Sequence, residues 1–218
     1  MGATLDGPIE VPADELNKLR KVLRLSTGAE VAVLPNDGTL IHGRLNGKVI
    51  DPVDVYHPNT EPNLELTLAQ ALPKGDKLEE IVRAGTELGV FRFVIFPSER
   101  SVVRWDAKKI EDRLHRLSVI AREAAEVSFR VRLPEILFAQ DLSTVLFEWP
   151  QATVLSEVEG LGKDLKRVGN SMTIAIGPEG GWSPRELTLI GDRGVTLGPR
   201  VLRVEHAGPA AAAVLLLG

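Results

Sequence analysis

The chain has 218 residues, a length that accommodates one large domain or two small ones and allows a hydrophobic core to be buried. It carries 26 Lys and Arg against 30 Asp and Glu, and this net charge of −4 speaks against a nucleic-acid partner. The absence of cysteine excludes disulfides, thiolate zinc sites, iron–sulfur clusters and a cysteine nucleophile. The longest apolar stretch, residues 210–217, is too short for a bilayer span and the N-terminus lacks a signal-peptide layout, so we expect a cytoplasmic protein.

The first 70 residues predict a small β domain. A basic amphipathic segment, residues 16–25, precedes short apolar runs that are separated by turn-forming residues such as Asn46-Gly47. Four of these runs are predicted strands, over residues 30–34, 40–45, 53–56 and 64–68. Short strands at close spacing with Asn-Gly turns are typical of a small β-barrel or a curled sheet.

From Pro73 onward the pattern changes to alternating helices and strands. Predicted strands lie at 91–96, 133–138, 153–156 and 172–176, and predicted helices lie between Asp76 and Gly89, over 107–128, after Ser183 and from about Pro209. The helix after Ser183 carries a capping box, because Glu186 follows three residues later. This alternation predicts an α/β fold with a covered parallel sheet. We expect two domains, over residues 1–70 and 71–218.

Glycines crowd the end of one predicted strand, at Gly177–Gly181. Glycine lets a backbone approach a ligand closely, and ligands of open α/β sheets bind beyond the carboxyl ends of strands. Two other strand ends, residues 155–157 and 197–203, are expected to join the same pocket. The residues alone leave a tight turn without a ligand equally open, and the spacing fits neither a phosphate loop nor the dinucleotide fingerprint.

Two motifs in this region resemble those of a known family. The runs Gly177-Pro178-Glu179-Gly180-Gly181 and Leu197-Gly198-Pro199-Arg200-Val201-Leu202-Arg203 resemble the RsmE family of 16S ribosomal RNA uracil-N3 methyltransferases, which belongs to the SPOUT superfamily. The likeness continues upstream in residues 19–25, 74–77, 86–90, 98–102 and 123–134. It therefore covers nearly the whole chain.

The resemblance implies a fold and a reaction. It implies an N-terminal PUA-like β-barrel that binds RNA, and a SPOUT-type α/β domain with a trefoil knot that binds S-adenosyl-L-methionine (SAM). It also implies a homodimer, no metal, and N3 methylation of a specific uridine of 16S rRNA in the small ribosomal subunit, near the decoding site. By motif match the cofactor residues are Leu155, Ser156, Glu157, Ile176, Gly177, Pro178, Glu179, Gly180, Gly181, Leu197, Gly198, Arg200, Val201, Leu202 and Arg203.

The implied reaction is an in-line displacement at the sulfonium methyl, for which positioning supplies much of the rate. The proton on N3 must leave, so the site needs a base or cationic groups that stabilise the resulting anion. Our hypothesis is that Arg203 or Arg130 stabilises the anion. Glu205 either accepts the proton or orients an arginine, and both roles stay open.

Several residues depart from the family pattern, and they cluster on the expected substrate side: Ala84, Val127, Phe129, Val204 and His206. His206 could act as a replacement proton acceptor, since the imidazole pKa lies near neutrality. Two alternatives therefore remain, namely a SPOUT methyltransferase acting on another RNA site and a SAM-binding RNA-binding protein without catalytic activity.

The cations gather in two segments. Residues 16–25 contain no acidic residue, and residues 98–132 contain nine Arg and Lys against six Asp and Glu. We expect phosphate contacts there, from Lys18, Arg20, Lys21, Arg24, Arg100, Arg130 and Arg132. The acidic average of the whole chain is therefore compatible with an RNA partner.

Overall fold

The computed structural model describes residues 7–156 and 163–217. The chain divides into two units. The N-terminal unit contains the chain up to Glu61 together with the short segment Phe129–Arg132, and the C-terminal unit contains Pro62–Ser128 and the chain from Leu133 onward. Within the described ranges, no helix is both long enough and apolar enough to cross a membrane.

The N-terminal unit is built on an antiparallel sheet. Its strands are β1 (Ile9–Glu10), β2 (Glu30–Val33), β3 (Leu40–Asn46) and β4 (Val49–Tyr56), in the order β1-β4-β3-β2. Ile41, Leu45 and Ile50 are buried and form its small core. The ladder joins β1 only to β4 and β2 only to β3 among the described residues. The predicted small β domain is thus an antiparallel sheet whose edges, among the described residues, are β1 and β2.

The basic segment is helical but not amphipathic throughout. Helix α1 (Ala13–Asn17) continues as a π-helical turn, Lys18–Val22. Val22 is 72% exposed and Leu23 is 55% exposed, although an amphipathic α-helix over residues 16–25 would place both on its apolar face. The cause is the wider i→i+5 bonding of the π turn, in which the N–H of Leu23 donates to the Lys18 carbonyl, because it shifts the residues out of α-helical periodicity.

Segment Phe129–Arg132 is tied into the N-terminal unit by Glu61. The guanidinium of Arg130 donates to the Glu61 carboxylate, with Nη2 at 2.6 Å from Oε2 and Nε at 3.2 Å from the same oxygen. The backbone N–H groups of Val131 and Arg132 donate to Oε1 at 3.0 and 3.2 Å. We call these groups the Glu61 cluster. It joins residues that lie 69 positions apart in the chain.

The C-terminal unit contains a parallel sheet of seven strands. They are β5 (Glu65–Ala71), β6 (Arg92–Phe96), β7 (Glu135–Phe138), β8 (Thr153–Leu155), β9 (Lys163–Asp164), β10 (Ser171–Ile176) and β11 (Gly194–Thr196). Their order is β7-β6-β5-β10-β8-β11-β9. The predicted strand at residues 64–68 therefore lies at the centre of this sheet and not in the β domain. The unit boundary accordingly falls at Pro62 instead of residue 71.

Helices cover both faces of this sheet. They are α2 (Lys77–Glu87), α3 (Ala107–Val127), α4 (Leu142–Glu148), α5 (Pro184–Ile190) and α6 (Val204–Leu216). In β5, Leu66 and Leu68 pack with α2, α3 and α6, whereas Ala69 and Ala71 face α4 and α5. The predicted α/β class with a covered parallel sheet is confirmed. The predicted start of the last helix at Pro209 is wrong, because α6 begins at Val204 and contains Pro209 in its interior.

Candidate active site

The loops that follow β8 and β10 and the segment that leads into α6 enclose one pocket in the C-terminal unit. Its volume is about 720 Å³, within the range of small-molecule sites. We call it the carboxyl-edge pocket, because it opens beyond the carboxyl ends of parallel strands. Ten predicted cofactor residues line it: Leu155, Ser156, Ile176, Gly177, Pro178, Glu179, Gly181, Val201, Leu202 and Arg203.

Among the residues that the structure describes, the pocket lining includes none of the other five predicted cofactor residues. Glu157 falls outside the described residues. The remaining four, Gly180, Leu197, Gly198 and Arg200, are not among the lining residues. Gly180 faces Arg100, whose Nη1 donates to the Gly180 carbonyl at 2.9 Å. Leu197 packs against the hydrophobic core, and Gly198 takes a φ of +111° in a turn closed by Thr196 Oγ1.

Trp182 connects two walls of the pocket, and sequence reasoning missed it. Its Nε1 donates to the Leu155 carbonyl at 3.0 Å, which ties the loop after β10 to the end of β8. Its ring is parallel to that of Phe96 with centroids 6.4 Å apart. A Cβ at Gly177 would lie 3.1 Å from the indole. Gly177 is therefore needed for the close approach of backbone and ring. The aromatic residue directly after the glycine run was the available signal.

The capping box of α5 anchors the same loop from behind. The Ser183 N–H donates to Glu186 Oε2 and the Glu186 N–H donates to Ser183 Oγ, as the sequence predicts. Glu186 is only 3% exposed, and its Oε1 also accepts from Ser98 Oγ at 2.8 Å and from the Glu99 N–H at 3.0 Å. The loop after β6 is thereby joined to the loop after β10. This connection brings Arg100 to the pocket wall.

A lysine and two glutamates form the polar end of the pocket. Lys77 Nζ lies 3.0 Å from Glu179 Oε1 and 3.4 Å from Glu205 Oε2. We call these three residues the Lys77 cluster. The backbone N–H of Lys74 also donates to Glu179. Within the described part of the chain, Glu205 Oε2 is buried, and its one cationic neighbour is the Lys77 ammonium at 3.4 Å, too poorly aligned to count as a hydrogen bond. This oxygen in the pocket wall can therefore accept a further hydrogen bond.

The cluster keeps all three groups charged. The hydrogen bond to Glu179 raises the pKa of Lys77. Burial acts to raise the pKa of Glu179, but hydrogen bonds from its own N–H, from Lys77 and from Lys74 outweigh burial and lower that pKa. The pKa of Glu205 is lowered first by its own backbone N–H and then by Lys77, with a smaller contribution from His206. A carboxylate with a lowered pKa is a weak general base at neutral pH.

The structure brings together two of the three predicted catalytic residues. Arg203 Nη1 lies 3.9 Å from Glu205 Oε1, and the Arg203 side chain is 82% exposed. Arg130 belongs to the N-terminal unit, where its buried guanidinium is bonded to Glu61. Lys77 was not among the predicted site residues. Its position in the first turn of a helix, where a cation is disfavoured, was a usable signal.

The predicted RNA-binding residues have different surroundings. In the N-terminal unit, Lys18 pairs with Glu15 at 3.9 Å, and Arg20 Nη2 donates to the Gly47 carbonyl at 2.7 Å. Lys21 and Arg24 are exposed beside the exposed Val22 and Leu23. Arg132 is exposed as well, while Arg100 lines the carboxyl-edge pocket of the other unit and Arg130 is buried.

Comparison with known proteins identifies the family. Residues 60–216 match the model of an RNA methyltransferase domain. A Bacillus subtilis protein named ribosomal RNA small subunit methyltransferase E is 31% identical over an alignment of 217 positions. The alignment covers 90% of this chain and 85% of that protein. The chain belongs to the RsmE family. A Synechocystis member of the family with the same name is 33% identical, over 93% of this chain and 71% of its own length.

Solved structures agree with this assignment to the RsmE family. A Neisseria gonorrhoeae ribosomal RNA small subunit methyltransferase E bound to SAM is 25% identical, with a TM-score of 0.86 over 98% of this chain and 92% of that one. A Legionella pneumophila protein in complex with SAM is 26% identical, with a TM-score of 0.88 over 98% and 93% of the two chains. The resemblance to the RsmE family that the sequence motifs indicated is confirmed.

Proposed function

We propose that this protein transfers the methyl group of SAM to the RNA of the small ribosomal subunit. It is a SAM-dependent rRNA methyltransferase of the RsmE family. The observation that carries this function is the carboxyl-edge pocket, which three strand-end segments enclose in the part of the chain that matches the RNA methyltransferase domain. The relatives named above are small-subunit rRNA methyltransferases, and two of the similar structures hold SAM.

The residues of the pocket fit SAM. Leu155, Ile176 and Leu202 supply apolar walls for a purine ring, while Glu179, Glu205 and Arg203 supply charges for an amino-acid end. The buried Glu205 Oε2 accepts no well-formed hydrogen bond from the described residues, and a ligand with an N–H group would supply one. When bound, SAM supplies a methyl group activated by a sulfonium. The protein binds and orients the two reactants, which is the main requirement of an in-line displacement.

The finer assignment is methylation of N3 of one uridine of 16S rRNA, near the decoding site. As N3 loses its proton to solvent water, negative charge spreads onto the neighbouring carbonyl oxygens. Arg203 is the cation that we assign to this charge, because its exposed side chain lies at the pocket rim. We assign to Glu205 the role of orienting Arg203 rather than that of base, because its pKa is lowered. Arg130 has its guanidinium bonded to Glu61, so we assign it to the architecture of the N-terminal unit.

The remaining expectations follow from the same assignment. We propose that the N-terminal unit is PUA-like and binds rRNA through Lys21 and Arg24, whose side chains are exposed. We also propose a homodimer, a site of action in the cytoplasm, and a trefoil knot in the C-terminal unit. The knot is supported by the path of the chain, because α6 follows β11 near one edge of the sheet yet packs against β5 and β10 at its centre.

The decisive experiment incubates the full chain with SAM and either unmodified small subunits or naked 16S rRNA, and maps methylated nucleosides by mass spectrometry. We expect methyl on N3 of one uridine. The matched pair of variants is Arg203→Ala and Arg200→Ala, which remove the same charge inside and outside the lining of the pocket. Only Arg203→Ala should lose activity, by about 10²-fold. Methyl on a ribose, or on no uridine, contradicts the N3 assignment.

A further inference from the structure

Lys77 occupies a position that its own helix disfavours. It is the first residue of α2, where the helix macrodipole favours anions over cations. Glu79 and Glu80 follow in the same turn and carry the negative charge that the macrodipole stabilises there. The positive charge of Lys77 is destabilised by the same macrodipole. The compensation comes from Glu179 and Glu205, which belong to two other segments of the pocket wall.

The two carboxylates that share Lys77 are not equally satisfied. Glu179 Oε1 accepts from both Lys77 Nζ and the Lys74 N–H, each at 3.0 Å. Glu205 lies in the first turn of α6, its side chain is 11% exposed, and its Oε2 accepts no hydrogen bond from the described residues. Its contact with the Lys77 ammonium at 3.4 Å is an ion pair without a well-formed hydrogen bond. A buried carboxylate oxygen with incomplete hydrogen bonding is unfavourable, so its retention in a pocket wall points to a ligand that completes it.

We propose that Lys77 is a positioning residue for methyl transfer, and that its ammonium fixes Glu179 and Glu205 so that Glu205 Oε2 accepts a hydrogen bond from an N–H group of the bound reactants. This inference rests on the proposed function. The donor is an N–H group, and it belongs either to the α-ammonium group of SAM or to N3 of the uracil. Lys77 itself touches neither reactant in this assignment. It acts through Glu205.

The variant Lys77→Met removes the ammonium and keeps a side chain of similar length, and Lys74→Met is its matched control. Lys74 lies three residues away, does not line the pocket, and contributes only its backbone N–H to Glu179, which the substitution retains. Lys77→Arg keeps the positive charge and should restore most of the function. Glu205→Gln removes the anion directly and keeps the size of the side chain.

Two arms of the experiment separate the two sources of the donor. Isothermal titration of SAM without RNA should give a Kd about 10- to 100-fold higher for Lys77→Met and Glu205→Gln if the donor belongs to SAM. If the donor is the uracil, the Kd for SAM stays within about twofold and kcat/KM for rRNA falls by a similar factor. Either result supports the proposal, provided that Lys74→Met behaves as the parent protein.

The pH profile distinguishes positioning from a merely structural role. The charged and titratable groups that face Glu205 are Lys77 from α2, Glu179 from the loop after β10, and Arg203 and His206 from its own segment. Without Lys77 the two carboxylates repel each other and their pKa values rise. In Lys77→Met, the quantity that responds, either the affinity for SAM or kcat/KM for rRNA, should therefore decrease as the pH falls from about 7 to 5. In the parent protein the same quantity should stay nearly constant over this range.

Some outcomes overturn the inference. If Lys77→Met matches Lys74→Met in both arms and in pH profile, Lys77 positions nothing. A lower melting temperature with unchanged SAM binding and turnover would mean that the ion pair is purely structural. If Lys77→Met fails to fold, the same measurements on Lys77→Arg and Glu205→Gln decide the question. If the parent protein binds SAM but methylates no RNA, the proposed function fails, while the SAM arm still decides whether Lys77 orders the pocket. If the parent protein does not bind SAM, both fail.

Discussion

In the N-terminal unit, both oxygens of Glu61 accept hydrogen bonds, from the Arg130 guanidinium and from two backbone N–H groups. In the C-terminal unit, Glu205 shares one ammonium with Glu179, and among the described residues its Oε2 has that ammonium at 3.4 Å but accepts no hydrogen bond of good geometry. Both are carboxylates paired with cations across long sequence separations. They differ in whether the protein itself completes their hydrogen bonding.

This difference separates a group that builds the fold from a group that serves a ligand. A buried carboxylate with its acceptors filled joins chain segments and leaves nothing for a small molecule. A carboxylate in a pocket wall with a vacant acceptor is kept at a cost to stability, and binding can recover that cost. We therefore expect substitutions in the Glu61 cluster to affect stability and those in the Lys77 cluster to affect reactants.

The largest effect is expected from Arg130→Ala. It leaves the Glu61 carboxylate without the guanidinium, and removing one partner of a buried ion pair costs about 3–5 kcal/mol. Hydrogen exchange of β2, β3 and β4 should report this loss within the N-terminal unit. Arg132→Ala is the control, because it keeps the backbone N–H that donates to Glu61. A stable Arg130→Ala protein that loses SAM affinity would instead assign Arg130 to the binding of reactants.

Glu186→Ala should have the next largest effect. Glu186 lies behind the carboxyl-edge pocket, but its carboxylate oxygens accept hydrogen bonds from Ser98, Glu99 and Ser183. We therefore expect Glu186, like Glu61, to stabilise the fold rather than to bind a reactant. Removing the acceptor should lower the unfolding free energy by about 2–3 kcal/mol in urea titrations. Glu186→Gln, which keeps one oxygen, should lose less. A normal free energy of unfolding with a raised Kd for SAM would place Glu186 with Glu205 instead.

Trp182→Phe should have a moderate effect on both properties. The substitution keeps a ring next to Phe96 but leaves the Leu155 carbonyl without the indole donor. We expect a loss of about 1 kcal/mol in stability and a Kd for SAM about fivefold higher. Trp149→Phe is the control, since Trp149 packs in the same hydrophobic cluster but does not line the pocket. Equal affinities of the two variants would refute a role of Trp182 in shaping the pocket.

The smallest effect is expected from pH in the parent protein. The lowered pKa values of Glu179 and Glu205 stabilise the folded state above their ordinary value of 4.5, and this contribution disappears as the pH falls through the lowered values. The raised pKa of Lys77 stabilises the folded state below 10.5, and this contribution disappears as the pH rises through the raised value. Melting temperatures of the parent protein and Glu205→Gln from pH 3 to 11 check both limits. If the melting temperature of Glu205→Gln falls below pH 4.5 as much as that of the parent protein, Glu205 does not contribute to the pH dependence of stability.

Local patterns predicted much of the C-terminal unit. Alternating helices and strands predicted its sheet, the capping box predicted α5, and the strand-end glycines predicted the pocket, because each signal lies within a few neighbouring residues. The assignment of residues 64–68 failed for a related reason. A short apolar run indicates a strand, but the sheet that it joins is decided by distant partners, here β6 and β10.

The two ion clusters were beyond the reach of sequence patterns. Glu61 and Arg130 are 69 positions apart, and Lys77 and Glu179 are 102 apart, so no period or spacing connects them. Arg130 looked like a catalytic cation because its position matched a family motif, although its side chain is buried. The short helix α4 was missed because its seven residues span too few turns to establish a period.

The contribution of Phe129–Arg132 to the N-terminal unit has a consequence for biosynthesis. A nascent chain that ends before residue 130 contains β1 to β4 but lacks the arginine that completes Glu61, and closing this long loop also costs entropy. The N-terminal unit therefore reaches its final stability only after α2, β6 and α3 have been translated. Expression of residues 1–61 alone should yield a chain that unfolds readily, and adding residues 129–132 as a separate peptide should protect it from proteolysis.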